Sequence, residues 1–172
     1  KGRTYRLKGY EIPEGSRTSK GINVVNILPL EQDEKISAMI RVPKIEDEKY
    51  LCMVTRKGII KRTALNEYKN VRKKGVIAIN LDRDDELAWV KLTDGNSDLL
   101  VATKKGMSIR FNEKDCRPIG RTARGVKAIT LGSGDSVIGM SVLREGGKIL
   151  TVSESGFGRR SDESDYRRQY RG

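Results

Sequence analysis

Four arginines, Arg6, Arg62, Arg110 and Arg160, each stand four residues after a glycine, at Gly2, Gly58, Gly106 and Gly156. A second glycine follows 16 to 19 positions later, at Gly21, Gly75, Gly125 and Gly172, and the residue before it is always basic: Lys20, Lys74, Arg124 and Arg171. Eight cations therefore recur in register. Guanidinium and ammonium groups are the side chains that meet phosphate oxygens, so cations repeating in phase suit a polymer of phosphates contacted at regular intervals. Pairing of the same arginines with a turn acid of a neighbouring repeat is the competing reading, and the sequence leaves the two open.

Charge and composition point the same way. The formal net charge is +12 with a pI near 9.8, and 36% of the 172 residues are hydrophobic against 34% charged. Such a balance favours a polyanionic partner, nucleic acid above all. The plainer alternative, excess lysine that only keeps a β-protein soluble and blunts its edges, explains the total but not the phase. Other chemistry is largely excluded. The absence of histidine removes the usual general base and metal ligand. Cys52 and Cys116 lie outside any CxxC spacing, which supports neither zinc nor a disulfide, and free thiols fit a reducing cytoplasm. Gly132-Ser133-Gly134 and Gly156-Phe157-Gly158 have no GK[ST] ending and read as turns. Tyr68 and Tyr166 occupy a repeat position shared with Ile12 and Cys116, which marks packing rather than nucleophilic chemistry. Trp89 is expected to pack against a sheet. No catalytic, metal or cofactor residue is assigned, and no apolar stretch approaches the 18 residues of a membrane span.

The elements that must position the cations are β-strands. Val54 to Arg62 overlays on Ala102 to Arg110 and on Val152 to Arg160, with spacings between the leading glycines of 56, 48 and 50 residues, a period that indicates a propeller-like array. Runs such as Tyr50–Val54, Val76–Leu81, Leu99–Ala102, Val126–Leu131 and Val137–Val142 are short, rich in Val, Ile and Leu, and bounded by turn residues. The class is all-β, about four short strands per unit, each sheet needing stacked neighbours to bury its faces. Units are placed at 1–49, 50–97, 98–147 and 148–172, the first lengthened by a charged loop at Pro43–Lys49. Thr-x-x-Gly reads as a hairpin turn whose glycine takes a positive φ. Asp85, Asp135 and Glu34 precede strand starts as turn acids, so bases and acids are expected on different turns, one rim basic and another mixed. The chain has no initiator Met and begins inside a repeat, as a fragment of a longer protein would.

Tyr10-Glu11-Ile12-Pro13, Ser16 to Gly21, Asn26-Ile27-Leu28-Pro29-Leu30-Glu31, Gly120 to Val126 and Gly156 to Arg160 together resemble the C-terminal domain of the bacterial DNA gyrase A subunit, essentially end to end. The resemblance implies a β-pinwheel, a partial ring here, with four-stranded blades that exchange a strand with their neighbours and carry a basic perimeter. It implies sequence-nonspecific binding and wrapping of double-stranded DNA, presented for strand passage and negative supercoiling. The partners implied are the remainder of the A subunit, together with the gyrase B subunit, in an A2B2 complex in the bacterial cytoplasm. ATP and magnesium, like the cleavage tyrosine, would belong to other parts of the holoenzyme. The family's basic Gln-Arg-Arg-Gly-Gly-Lys-Gly box is absent; Gln169-Tyr170-Arg171-Gly172 resembles only its opening. The expected phosphate contacts are Arg6, Lys20, Lys57, Lys61, Arg62, Lys74, Lys104, Lys105, Arg110, Arg121, Arg124, Lys127, Arg159 and Arg160. The alternatives are the related C-terminal domain of the topoisomerase IV A subunit, and a protein-binding propeller, which would show exposed aromatics on one face.

Overall fold

In the computed structural model, residues 1–45 and 48–172 are described, and part of the expected charged loop, residues 46–47, lies outside them. The strands are β1 (Arg3–Thr4), β2 (Tyr50–Thr55), β3 (Ile59–Ala64), β4 (Val76–Ile77), β5 (Leu87–Thr93), β6 (Asp98–Thr103), β7 (Ser108–Asn112), β8 (Val126–Lys127), β9 (Val137–Leu143), β10 (Lys148–Val152) and β11 (Gly158–Asp162). Short 3-10 turns join them, and the described residues contain no α-helix.

The second repeat forms the antiparallel sheet β5-β2-β3-β8, in which β8 comes from the third repeat. The same exchange joins β1 to β4, with Arg3 opposite Ile77 and Thr4 opposite Val76. The third repeat builds β7-β6-β9, and β10 pairs with β11. The register of the β2–β5 and β6–β9 pairs shifts at equivalent places, Val54/Thr55 and Ala102/Thr103, so the repeat extends to its bulges. The first repeat falls short of the expected four strands. β1 is its only described strand, and Ile22, Val25, Ile36 and Met39 are exposed.

The hairpin turns follow directly from their residues. In Thr55-Arg56-Lys57-Gly58 the threonine hydroxyl accepts from the Ile59 amide at 3.2 Å, and Thr103 and Ser153 do the same for Met107 and Phe157. Gly58 has φ +82°. A Cβ there would also lie 2.9 Å from the Ile129 carbonyl of the next repeat. Gly125 is its counterpart: φ is +112°, and a Cβ would stand 2.6 Å from the carbonyl of Ile60. Each glycine thus lies against the backbone of the other repeat, at the two ends of the ladder between β3 and the exchanged strand.

Both faces of β2 are buried, which is why Tyr50–Val54 reads as a continuous apolar run. Cys52 and Val54 join Ile60, Val101, Ile109, Phe111, Cys116 and Val137 between the second and third repeats, with Trp89 packed against that cluster. Leu51 and Met53 face the other way, into Leu65, Tyr68, Ala78 and Ile79. β5 and β9 pack against each other, so the sheets converge along those strands and splay toward β3 and the exchanged strand. That splayed side is the outer edge. β10–β11 leaves Leu150, Val152 and Phe157 exposed.

Candidate nucleic-acid interface

At two of its four positions, Arg62 and Arg110, the arginine four residues past the first glycine is a seam residue. Arg62 is 6% exposed. Its Nε donates to the Cys116 carbonyl at 2.7 Å, its Nη1 lies 3.5 Å from Glu113, and the guanidinium stacks 4.7 Å from the Tyr50 ring centre. Arg110 donates to Asp98 at 2.9 Å and to the Glu163 and Tyr166 carbonyls, with its Nη1 2.6 Å from the Glu163 carboxylate. Arg6 reaches the Lys69 carbonyl at 3.0 Å but remains exposed. Arg160 is exposed, with no side-chain partner among the described residues. Arg62 and Arg110 therefore tie one repeat to the next, and the phosphate reading of these two gives way to the pairing one.

Lys61 is also inside the protein. Its ammonium donates to the Ala78 carbonyl at 2.5 Å and to the Arg121 carbonyl, and burial pushes its pKa down to about 8. Arg121 is half-buried and donates to the Ile77 carbonyl. On the hairpin turns, Lys57 donates to the Arg83 carbonyl and Lys105 to that of Ser133, while Lys104 is exposed and unpartnered among the described residues.

The turn acids accept as anticipated, but not where anticipated. Asp85 takes the amides of Lys57 and Glu86 at 3.0 and 2.8 Å, and Asp135 those of Lys105 and Ser136. Acid loop and basic hairpin are thus bonded together. The hairpin rim is the mixed one, because each carboxylate accepts from a hairpin amide and from the amide that follows it in its own loop.

Exposed cations without a side-chain partner occur at several places on the chain, among them the segments next to the exchanged strands β4 and β8. Lys20, Arg72, Lys73, Lys74, Arg117 and Lys127 have no side-chain partner among the described residues. Arg124, directly before Gly125, is held by Asp82, Nε to Oδ1 and Nη2 to Oδ2 both at 2.5 Å, and this guanidinium keeps the Asp82 carboxyl below the usual carboxylate range. Arg159 is exposed on β11. Arg72, Lys73 and Arg117 lie outside the glycine-phased positions, and the signal that would have found the first two is the local run Arg72-Lys73-Lys74. Glu113 and Glu163, seven residues past Gly106 and Gly156, were likewise legible only as a phase, and Leu65 stands at that place in the second repeat. No group of three or more His, Cys, Asp or Glu that could hold a metal is present among the described residues, nor is any helix long and apolar enough to cross a membrane.

Antiparallel sheets, two of which take a short strand from the next repeat, define a strand-exchanged β-propeller. The sequence profile of the DNA gyrase C-terminal domain family, described as a beta-propeller, matches residues 1–43, 49–94, 97–144 and 147–172. The chain belongs to that family. It is 49% identical over 175 aligned residues to the A subunit of DNA gyrase from Staphylococcus epidermidis, covering 100% of this chain and 20% of that protein. It therefore spans about a fifth of the length of such curated relatives. Its fold superposes on the C-terminal domain of a DNA topoisomerase IV with TM-score 0.88 and 29% identity, and on a DNA gyrase A C-terminal domain with 0.86 and 28%, covering 99% of this chain and 54% and 55% of theirs.

Proposed function

We propose that this chain binds duplex DNA without reading its sequence, along the outer edge of the repeats, and bends it as part of a gyrase A subunit. The observation that carries the reading is the set Lys20, Arg72-Lys73-Lys74, Arg117 and Lys127, exposed and free of carboxylate partners among the described residues. Each cation that meets a phosphate releases a counterion. Successive repeats offer such a group at each splayed edge, so a duplex following them must curve. The contacts offset the elastic cost of bending, on the order of 1–6 kcal/mol for 40–90°. In the holoenzyme, assembled as A2B2 with ATP and magnesium held elsewhere, the curved path presents a second DNA segment for strand passage, giving negative supercoils. The 49% identity to gyrase A relatives favours gyrase over topoisomerase IV. Supercoiling by the complete protein with its B partner separates those two.

The binding test is a salt titration with a mixed-sequence duplex. The slope of log K against log salt is about −4 to −5 if roughly five phosphates are engaged. Changing Arg72, Lys73 and Lys74 together to Glu makes the slope shallower by about 2.7 units and leaves the thermal melt unchanged. A wild-type slope near zero, or tenfold preference between unrelated duplexes, sinks the proposal.

A further inference from the structure

The pair Asp82–Arg124 stands apart from the other ion pairs. Arg62–Glu113 and Arg110–Asp98 are enclosed in the seams. Arg168 is 59% exposed and gripped through both arms of its fork, but the carboxylate that holds it is Asp98, 7% exposed, shared with Arg110 and with no solvent to be released into. Lys1–Glu31, Arg56–Glu86 and Lys148–Asp162 are exposed but lie off the loops that lead to the exchanged strands. Arg124 sits on such a loop, directly before Gly125, with its side chain 51% exposed, and Asp82 reaches it from the preceding repeat with 37% exposure. The carboxylate grips the guanidinium through both arms of its fork, the geometry in which a phosphate would take it.

We propose that Asp82 is a competitive latch: in the free protein it occupies the Arg124 guanidinium, and a backbone phosphate of the duplex displaces it, so that Asp82 sets DNA affinity at the seam between the second and third repeats. This rests on the duplex-binding reading above. The exchange needs no backbone movement, because the Asn80 amide already donates to the Ala123 carbonyl at 3.1 Å and fixes the two loops side by side. Neither partner is left in a costly state. Asp82 is exposed enough to be hydrated once released, and Lys57 remains nearby as a second cation. An exposed pair is also weakly held in water, so a phosphate in a row of other contacts can win the guanidinium.

A double-mutant cycle tests this, read as the dissociation constant of a mixed-sequence duplex by fluorescence anisotropy across a salt series. Asp82→Asn tightens binding about threefold when Arg124 is present, and the gain vanishes in the Arg124→Gln background. Asp82→Ser, which cannot grip the fork, gives the same gain. Arg124→Gln alone makes the salt slope shallower by about 0.9. An equal gain in both backgrounds would reduce Asp82 to a diffuse negative charge and overturn the latch, as would no gain from either substitution. If wild-type chain binds no duplex at any salt, the duplex-binding reading falls and the latch with it; wild-type binding with an additive cycle removes the latch alone.

Discussion

Replacing Arg62 by Met tests whether the phased arginines hold the repeats together. The substitution keeps an unbranched apolar stem reaching to about the position of Nε and removes the charge and donors. Glu113, fully buried, then loses the guanidinium 3.5 Å away, and the Cys116 carbonyl loses a 2.7 Å bond. Removing one member of a buried pair costs about 3–5 kcal/mol. Glu113 keeps the Thr93 hydroxyl at 2.6 Å and the amides of Gly95 and Ser97 at 2.9 and 2.8 Å, which places its share at the low end. An orphaned buried carbonyl adds about 1 kcal/mol. The total, about 4 kcal/mol, corresponds to a Tm lowered by roughly 8–16 °C for a chain of this size. Circular-dichroism melts measure it, with Arg160→Met, exposed and unpartnered, as the control that stays within about 0.5 kcal/mol of wild type. Below its melt the folded Arg62→Met chain retains its DNA affinity and salt slope. A variant that melts with the wild type while losing a unit of slope would mean that Arg62 serves phosphate and not the seam.

Two further outcomes follow from the same seams. Gly58→Ala costs about 3 kcal/mol and Gly106→Ala about 1, because both need a positive φ but only Gly58 faces a carbonyl, at 2.9 Å, whereas a Cβ at Gly106 meets nothing within 4 Å; equal denaturant midpoints would refute this. Lys61 has its folded pKa lowered to about 8 from 10.5 by burial, so between those values the unfolded chain binds more protons and the contribution of Lys61 to stability rises with pH. Cys52, Cys116 and Tyr68 work in the opposite sense, since burial raises them to about 12, 11 and 12 and their contribution falls once the unfolded groups ionise. The stability difference between wild type and Lys61→Met, from urea melts, therefore shifts toward wild type from pH 8 to 10, and a flat difference would refute it.

The repeat itself was legible because it is written in backbone requirements. The leading and trailing glycines all have positive φ, and the Thr or Ser three places before a hairpin glycine caps it. What a cation does was not legible, because that depends on what the neighbouring repeat brings to it. Arg62 and Arg160 occupy the same phase, yet one meets Glu113 and Cys116 while the other meets solvent. Lys61 looks like any surface lysine until Ala78 and Arg121 of the adjoining segments close over it. Arg72 and Lys73 escaped the phase argument because the unpaired cations follow the exposure of a loop rather than the period of the turns.

The exchange of β4 onto β1 and of β8 onto β3 bears on force as well as on folding. Each exchanged strand is bonded to one repeat and covalently continuous with the next, so an outward pull on the rim loads its short ladder in shear, together with the Arg62–Cys116 link behind it. A pull on one repeat therefore strains its neighbours too, and the stiffness of the array belongs to the joints between repeats more than to any single sheet.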